Sequence, residues 1–181
     1  MSWVAVSETA KAHGKQQSIT RITRTVTTVA MLSGGAAIAA PPAVNQLPTG
    51  GQVAAGIAAI GTNGNTMTVT QTSDRAAINW NTFDIGSQAA VNFVQPSANA
   101  VALNRVNSPN PSQIYGQLSS NGQVYLINAA GVYFAPGAQV NVGGIVATTM
   151  QMSDAAFMAG STTFERNGAT GKVINEGSIQ T

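Results

Sequence analysis

From Ala40 onward the chain is a succession of short runs in which apolar and polar residues alternate, and a 3.6-residue period is hard to find. Met67-Thr-Val-Thr70, Ala90-Val-Asn-Phe-Val94, Gln123-Val-Tyr-Leu-Ile127, Gln139-Val-Asn-Val142 and Lys172-Val-Ile-Asn175 each have the period of two that places alternate side chains on opposite faces of a strand. Asn63-Gly64, Asn121-Gly122 and Asn167-Gly168 stand between such runs as turn formers, and Pro96, Pro109, Pro111 and Pro136 punctuate the rest. A chain that turns this often is all-β: a sandwich, a barrel or a solenoid. The segment 131–146 favours the solenoid, because Val140, Val142, Ile145 and Val146 are compact and Gly137, Gly143 and Gly144 permit a narrow coil. In such a coil each rung bonds to the next about 4.8 Å away, and aligned Asn side chains can form ladders along the stack. Residues 170–181 read as a further rung, and the pattern stops in mid-coil, so the 181 residues are expected to be a fragment or a truncated product.

Charge narrows the reading further. Only 8% of residues are charged, against roughly a quarter in ordinary domains. Beyond Ala39 the acids Asp74, Asp84, Asp154, Glu165 and Glu176 outnumber the bases Arg75, Arg105, Arg166 and Lys172, so this portion is no basic nucleic-acid binder. Cysteine is absent and the single histidine is His13, which leaves no thiolate or imidazole for a metal, a cofactor or a catalytic triad beyond Ala39. Phosphate-loop, dinucleotide and calcium-repeat glycine patterns are also missing, so neither catalytic, cofactor nor metal residues are assigned. Asp74 and Asp84 are the acids a sugar-cleaving solenoid would use, but they read better as turn residues.

The first 39 residues read as an address. Arg21 and Arg24 precede a mostly apolar or small run from Val26 to Ile38, and Ala37-Ile38-Ala39 meets the small-x-small rule, which places cleavage between Ala39 and Ala40. The run is too short and too polar to span a hydrocarbon core of about 30 Å, and Pro41-Pro42 stops a helix directly after it. Residues 40–46 are then expected as a short linker and 47–181 as the β-helix. One helical turn is expected within Thr149–Ala159, capped by Ser153 or Asp154, with Met150, Met152 and Met158 as core filler. Trp80, Phe83, Phe93, Tyr125, Tyr133 and Phe134 are expected in the core or cap, with Tyr115 and Tyr133 able to face outward.

Several ordered blocks make a more specific likeness. Ala77-Ile-Asn-Trp-Asn-Thr-Phe-Asp-Ile-Gly86, Ala90–Pro96, Ala102-Leu-Asn-Arg-Val106, Ser112–Leu118, Asn121-Gly-Gln-Val-Tyr-Leu-Ile-Asn128, Gly131–Ala138 and Val140–Gly144 together resemble the secretion domain of two-partner secretion exoproteins, the filamentous haemagglutinin-like family with its haemagglutination activity domain. The likeness runs over about 100 residues, from roughly Leu47 to Phe157. Trp3-Val-Ala-Val-Ser-Glu8 and Lys11–Lys15 resemble the end of the extended signal region of large Gram-negative exported proteins. The family's Asn-Pro-Asn-Gly-Ile turn reads Asn128-Ala-Ala-Gly-Val132 here.

The resemblance implies a right-handed parallel β-helix with an N-terminal cap and short hairpins, at the head of an adhesin-like exoprotein that is secreted or held on the cell surface. It implies Sec machinery and signal peptidase as partners at the inner membrane, the POTRA domains of an outer-membrane transporter in the periplasm, and host-cell surface ligands outside. Asn104, Arg105, Asn128 and Gly131 are the residues it marks for transporter recognition or for shaping the motif. Arg105 is expected first as a clamp between rungs, and outward-facing Tyr115 and Tyr133 as contacts for strand addition by the transporter. The competing readings are a polysaccharide-degrading β-helix enzyme and a classical autotransporter passenger.

Overall fold

The computed structural model describes residues 40–181, so the export segment expected over 1–39 lies outside the described residues. The chain enters through β1 (Gln52–Ala55) and β2 (Ala58–Asn63), which pair antiparallel with β4 and β3 and form the cap. It then coils. Strands β3 (Thr66–Gln71) and β4 (Arg75–Trp80) begin the first rung, and Ile85 completes it through a parallel bridge to Ile114. The second rung is β5 (Ala90–Val94), β6 (Val101–Val106) and β7 (Ser112–Ile114). The third is β8 (Gln117–Ser120), β9 (Gln123–Asn128) and β10 (Gly131–Phe134). The fourth is β11 (Gln139–Asn141), β12 (Gly144–Thr148) and β13 (Lys172–Asn175), and β14 (Ser178–Gln180) starts another. All pairings from rung to rung are parallel and give three sheets, in the orders β1-β4-β6-β9-β12, β7-β10-β13 and β2-β3-β5-β8-β11-β14. The expected parallel β-helix is thus present, with its cap at the N-terminal end.

Parallel pairing sets like residues above like. On the third sheet Met67, Val91, Leu118, Val140 and Ile179 form one inward column, each paired with the next. All but Ile179 are buried, and Ile179 packs against the same cluster. Trp80, Phe83, Phe93, Ile114, Leu126 and Phe134 fill the remaining interior, and Trp80 meets Phe83 edge-on at 5.4 Å. Each fully buried aliphatic or aromatic side chain contributes about 1.5–3 kcal/mol.

A second apolar cluster lies outside the coil. β4, β6 and β9 are buried on both faces, because the excursion 149–171 between β12 and β13 folds back over their outer surface. Ala77, Val101, Leu103, Tyr125 and Ile127 meet Met152 and Phe157 there, with Phe164 against them. Two-sided burial explains why these strands are more apolar than strict alternation allows. The expected helical turn is α1 (Asp154–Met158), and Ser153 caps it by accepting the Ala156 N–H. Of the methionines, Met152 is core, whereas Met158 is exposed at the last turn of α1. Tyr133 is only half-buried and so is not a core residue, in contrast to Tyr125.

Residues 40–46 do not behave as a free linker. Val44 O accepts the Gln88 N–H at 2.7 Å, Gln46 O accepts the Gly86 N–H at 2.9 Å, and Ala40 O accepts a bond from the Gln113 side chain at 3.1 Å. The segment lies so close over Gly86 that a Cβ there would stand 2.1 Å from Ala43 O.

Leu118→Ala removes the middle of the inward column and leaves rigid neighbours above and below. The expected loss is about 2–5 kcal/mol, measured by urea unfolding of the purified chain, whereas Val94→Ala on the exposed face of β5 should change stability by less than about 0.5 kcal/mol.

Candidate functional site

Of the four residues marked in the sequence, Asn104 and Arg105 lie within β6, Asn128 ends β9 and Gly131 begins β10. Asn104 points into the core, in the column Ile78, Asn104, Leu126, Ala147. It is fully buried. Its Oδ1 accepts the Trp80 indole N–H at 3.0 Å, and its Nδ2 donates to Ala102 O and Tyr125 O at 3.3 Å each. One amide therefore joins the first, second and third rungs and satisfies a buried indole donor that would otherwise cost about 1–3 kcal/mol.

Arg105 points the opposite way, to the outer face. It donates to Asn79 Oδ1 on the rung below at 2.9 Å, to Met152 O at 2.7 Å and to Asp154 Oδ1 at 2.9 Å. The ion pair with Asp154 is partly exposed, 21% and 40% for the two side chains, so its charge contributes modestly and its geometry matters more. These bonds link β6 to β4 and hold the N-terminal end of α1. Arg75 holds the other end: it donates to Phe157 O at 3.1 Å and its guanidinium lies 5.1 Å from the Phe157 ring centre. No local sequence signal marks Arg75 for this role.

Asn128 is fully buried at the end of β9. Its Oδ1 accepts the Ala130 N–H at 2.9 Å, which closes the turn to Gly131, and its Nδ2 donates to Asn110 O at 3.1 Å and Ser112 Oγ at 3.0 Å. The turn with Ala129 and Ala130 is thus fixed by the asparagine itself, and the 107–111 loop is tied to the same side chain. Gly131 has φ +121°, and a Cβ there would stand 2.7 Å from Lys172 O of β13.

Sequence reasoning missed a glutamine ladder at the corner between two sheets. Gln95 donates to Gln71 Oε1 at 3.2 Å and to Gln123 O at 3.3 Å, and it accepts from the Ser120 hydroxyl; Gln71 donates to Val101 O at 3.2 Å. Gln71 and Gln95 are both buried. Nothing in the local pattern distinguishes them from surface glutamines. Asn121 adds a two-way bond to the Gln95 main chain, 2.7 Å in each direction.

On the outer face of the β7-β10-β13 sheet, Tyr115 and Tyr133 meet edge-on at 6.0 Å. The Tyr133 hydroxyl donates to Glu176 Oε2 at 2.5 Å, which pushes its pKa up to about 12. Asp84, half-buried near the bottom of this face, is raised by burial and partly returned by the Gln113 N–H it accepts at 2.8 Å. Beside α1 an open cleft of about 380 Å³ is lined by Arg105, Ile127, Gln151, Asp154 and Glu165. Among the described residues no group of three or more His, Cys, Asp or Glu gathers to hold a metal.

Cap and coil define a parallel β-solenoid closed at its N-terminal end by antiparallel strands. Residues 43–181 match the TPS secretion domain, and the chain belongs to that family. It is 42% identical over 135 residues to a heme/hemopexin-binding protein of Haemophilus influenzae, covering 74% of this chain and 15% of that protein. A second Haemophilus influenzae heme/hemopexin-binding protein is 44% identical over 116 residues, 64% of this chain and 12% of its own length. The chain therefore spans only about a seventh of these relatives. The crystal structure of the HMW1 secretion domain from Haemophilus influenzae superposes with a TM-score of 0.69 at 35% identity, covering 73% of this chain and 36% of that one. This is the two-partner secretion domain of an exoprotein, with an outer-membrane transporter as its partner and export across the outer membrane as its route. The comparisons lend no support to a sugar-degrading enzyme or an autotransporter passenger.

Two outcomes follow from the geometry. Gly131→Ala should destabilise the fold by about 1–3 kcal/mol more than a strain-free surface substitution, and by more than Gly137→Ala, whose φ is also positive at +103° but whose Cβ would meet nothing within 4 Å; paired urea unfolding curves check this. The raised Tyr133 value means that the bond to Glu176 stabilises the fold below the ordinary tyrosine range, about pH 10, and that this contribution is lost as pH rises through about 12. Ultraviolet titration should show Tyr133 ionising late, returned toward the ordinary range by Glu176→Gln.

Proposed function

We propose that this β-helix is the element by which the POTRA domains of the transporter select the exoprotein in the periplasm. Sec machinery delivers the chain, signal peptidase cuts between Ala39 and Ala40, and residues 40–181 form the secretion domain, with 40–46 as part of it. The passenger region that follows is secreted or displayed as an adhesin. The heme/hemopexin binding in the relatives' names concerns proteins that this chain matches over a small part of their length. Only the export role is carried over.

The observation that carries this reading is the Asn128–Gly131 turn. Its family-marked residues are buried and bonded inward, which supports a shaping role for Asn104, Asn128 and Gly131 and a contact role for surfaces they hold in place, among them the half-exposed Tyr115 and Tyr133. A chain with few charges and no cysteine threads a pore extended, with no disulfide to undo and little charge to drag. Outside, the domain folds again by stacking each rung on the last.

The test is export from cells that carry the full gene with and without its cognate transporter. Secretion should require the transporter. Asn128→Ala should lower the exported amount several-fold, while Asp74→Asn, on an exposed turn, should leave it unchanged. Undiminished export without the transporter, or from the Asn128 variant, would overturn the reading.

A further inference from the structure

Gln113 lies on the outer face of β7 and is only 7% exposed. Its Nε2 donates to Ala40 O at 3.1 Å, which fixes which end of the amide points which way. Its Oε1 is then left as a buried acceptor with no hydrogen-bond partner among the described residues. Native folds seldom leave such an atom unpaired, since its lost hydrogen bond to water is not replaced. The residue bonded to the other end of the same amide is Ala40, the first residue after the expected cleavage junction.

That approach is built into the fold. Residues 43–46 lie over Gly86, where any side chain would collide with Ala43 O, and two main-chain bonds to Gly86 and Gln88 hold them there. Asp84, whose Oδ1 accepts the Gln113 main-chain N–H, is a half-buried carboxylate on the same patch. Among the described residues it has no cation within ion-pair distance, the pair found there being Arg105 with Asp154.

We infer that this patch is a receptor for the chain's own new N-terminus: the α-ammonium released at Ala40 docks on Gln113 Oε1 beside the Asp84 carboxylate. The inference rests on cleavage between Ala39 and Ala40 as proposed above. Before cleavage the Ala40 nitrogen is a planar amide with one hydrogen in a fixed direction, and it makes no bond to Oε1. Hydrolysis of the Ala39–Ala40 peptide bond by water leaves a carboxylate on Ala39 and, on Ala40, a tetrahedral ammonium with three hydrogens free to rotate. It supplies the missing donor and a positive charge in one step. Signal removal would thereby complete the first rung as well as free the chain.

The test uses the full chain exported with its transporter and collected outside the cell. Intact mass and N-terminal sequencing fix the first residue. The mature segment 40–181 carries one other amine, the exposed Lys172, which serves as an internal reference for labelling with an acylating reagent at neutral pH. The Ala40 amine, normalised to Lys172, should react about tenfold more slowly than the terminal amine of a chain with a Gly-Ser pair inserted between Ala39 and Ala40, the protection expected from one charge-assisted hydrogen bond. Gln113→Leu should restore fast labelling, and Gln113→Glu, which keeps the acceptor, should keep it slow. A mature chain that begins elsewhere overturns the cleavage site and the docking together. A chain that begins at Ala40 and labels as fast as the inserted one overturns the docking alone.

Discussion

The in-register parallel ladder is the constraint from which the other features of this protein follow. Each strand bonds only to the strand one coil below and one coil above, so a side chain that points inward has its column neighbours chosen for it. The column Met67, Val91, Leu118, Val140, Ile179 satisfies this with apolar residues throughout. Where a column changes character, the polar atom must find partners inside the coil. Asn104 does so with Trp80 below and Tyr125 above, and Asn128 does so at the corner, where the main chain is turning and free carbonyls are close. Such buried amides specify register strongly: a slip of two residues, which keeps every side chain on its own face, would leave both the amide and the indole unpaired, whereas an aliphatic column would tolerate it at lower cost.

Much of the coil was legible because strands have a local signature. The period-two runs at Met67–Thr70, Ala90–Val94, Gln123–Ile127, Gln139–Val142 and Lys172–Asn175 all fall on strands, and the single helical turn falls where Ser153 can cap it. Three things were not legible, each for a physical reason. Burial of Leu103 and Tyr125 on the outer face depends on an excursion dozens of residues away folding back over them. Gln71 and Gln95 are buried by corner geometry, which no window of sequence reports. Residues 40–46 look like a linker because their main-chain bonds go to Gly86 and Gln88, far along the chain, and a proline-led segment without alternation gives no hint of them. Of the candidate site, the identities of Asn104, Arg105, Asn128 and Gly131 came through family likeness, whereas their directions, inward for the asparagines and outward for the arginine, came only from the fold.

The scarcity of charge gives the few arginines disproportionate work. Arg75 and Arg105 stand on neighbouring rungs of the same sheet, on the same outer face, and each reaches α1 from one side. A helix of five residues is too short to hold itself. Its order comes from the apolar contacts of Phe157 and Met152 below and from guanidinium groups that bind carbonyl oxygens at either end. The same arrangement protects the sheet, since without the excursion Leu103, Tyr125 and Val101 would form an exposed apolar face beside an open edge.

That dependence sets an order on assembly. A chain that arrives from its N-terminal end meets the cap at the first rung and, at the second and third, partners about one coil earlier in the sequence, so each rung can close as soon as it is complete. The fourth differs. Between β12 and β13 stands the excursion, so Lys172 must come back to Gly131, and Ser178 to Gln139, across the whole of 149–171. Closing that larger loop adds little entropy cost, since the cost grows only with the logarithm of length, but the loop needs a surface to collapse on. The outer face of β4, β6 and β9 provides it only after three rungs have stacked. The excursion therefore reports on the coil beneath it: Arg75 and Arg105 can bind α1 together only when β4 and β6 are already in register, and the rungs beyond build on a base already in place.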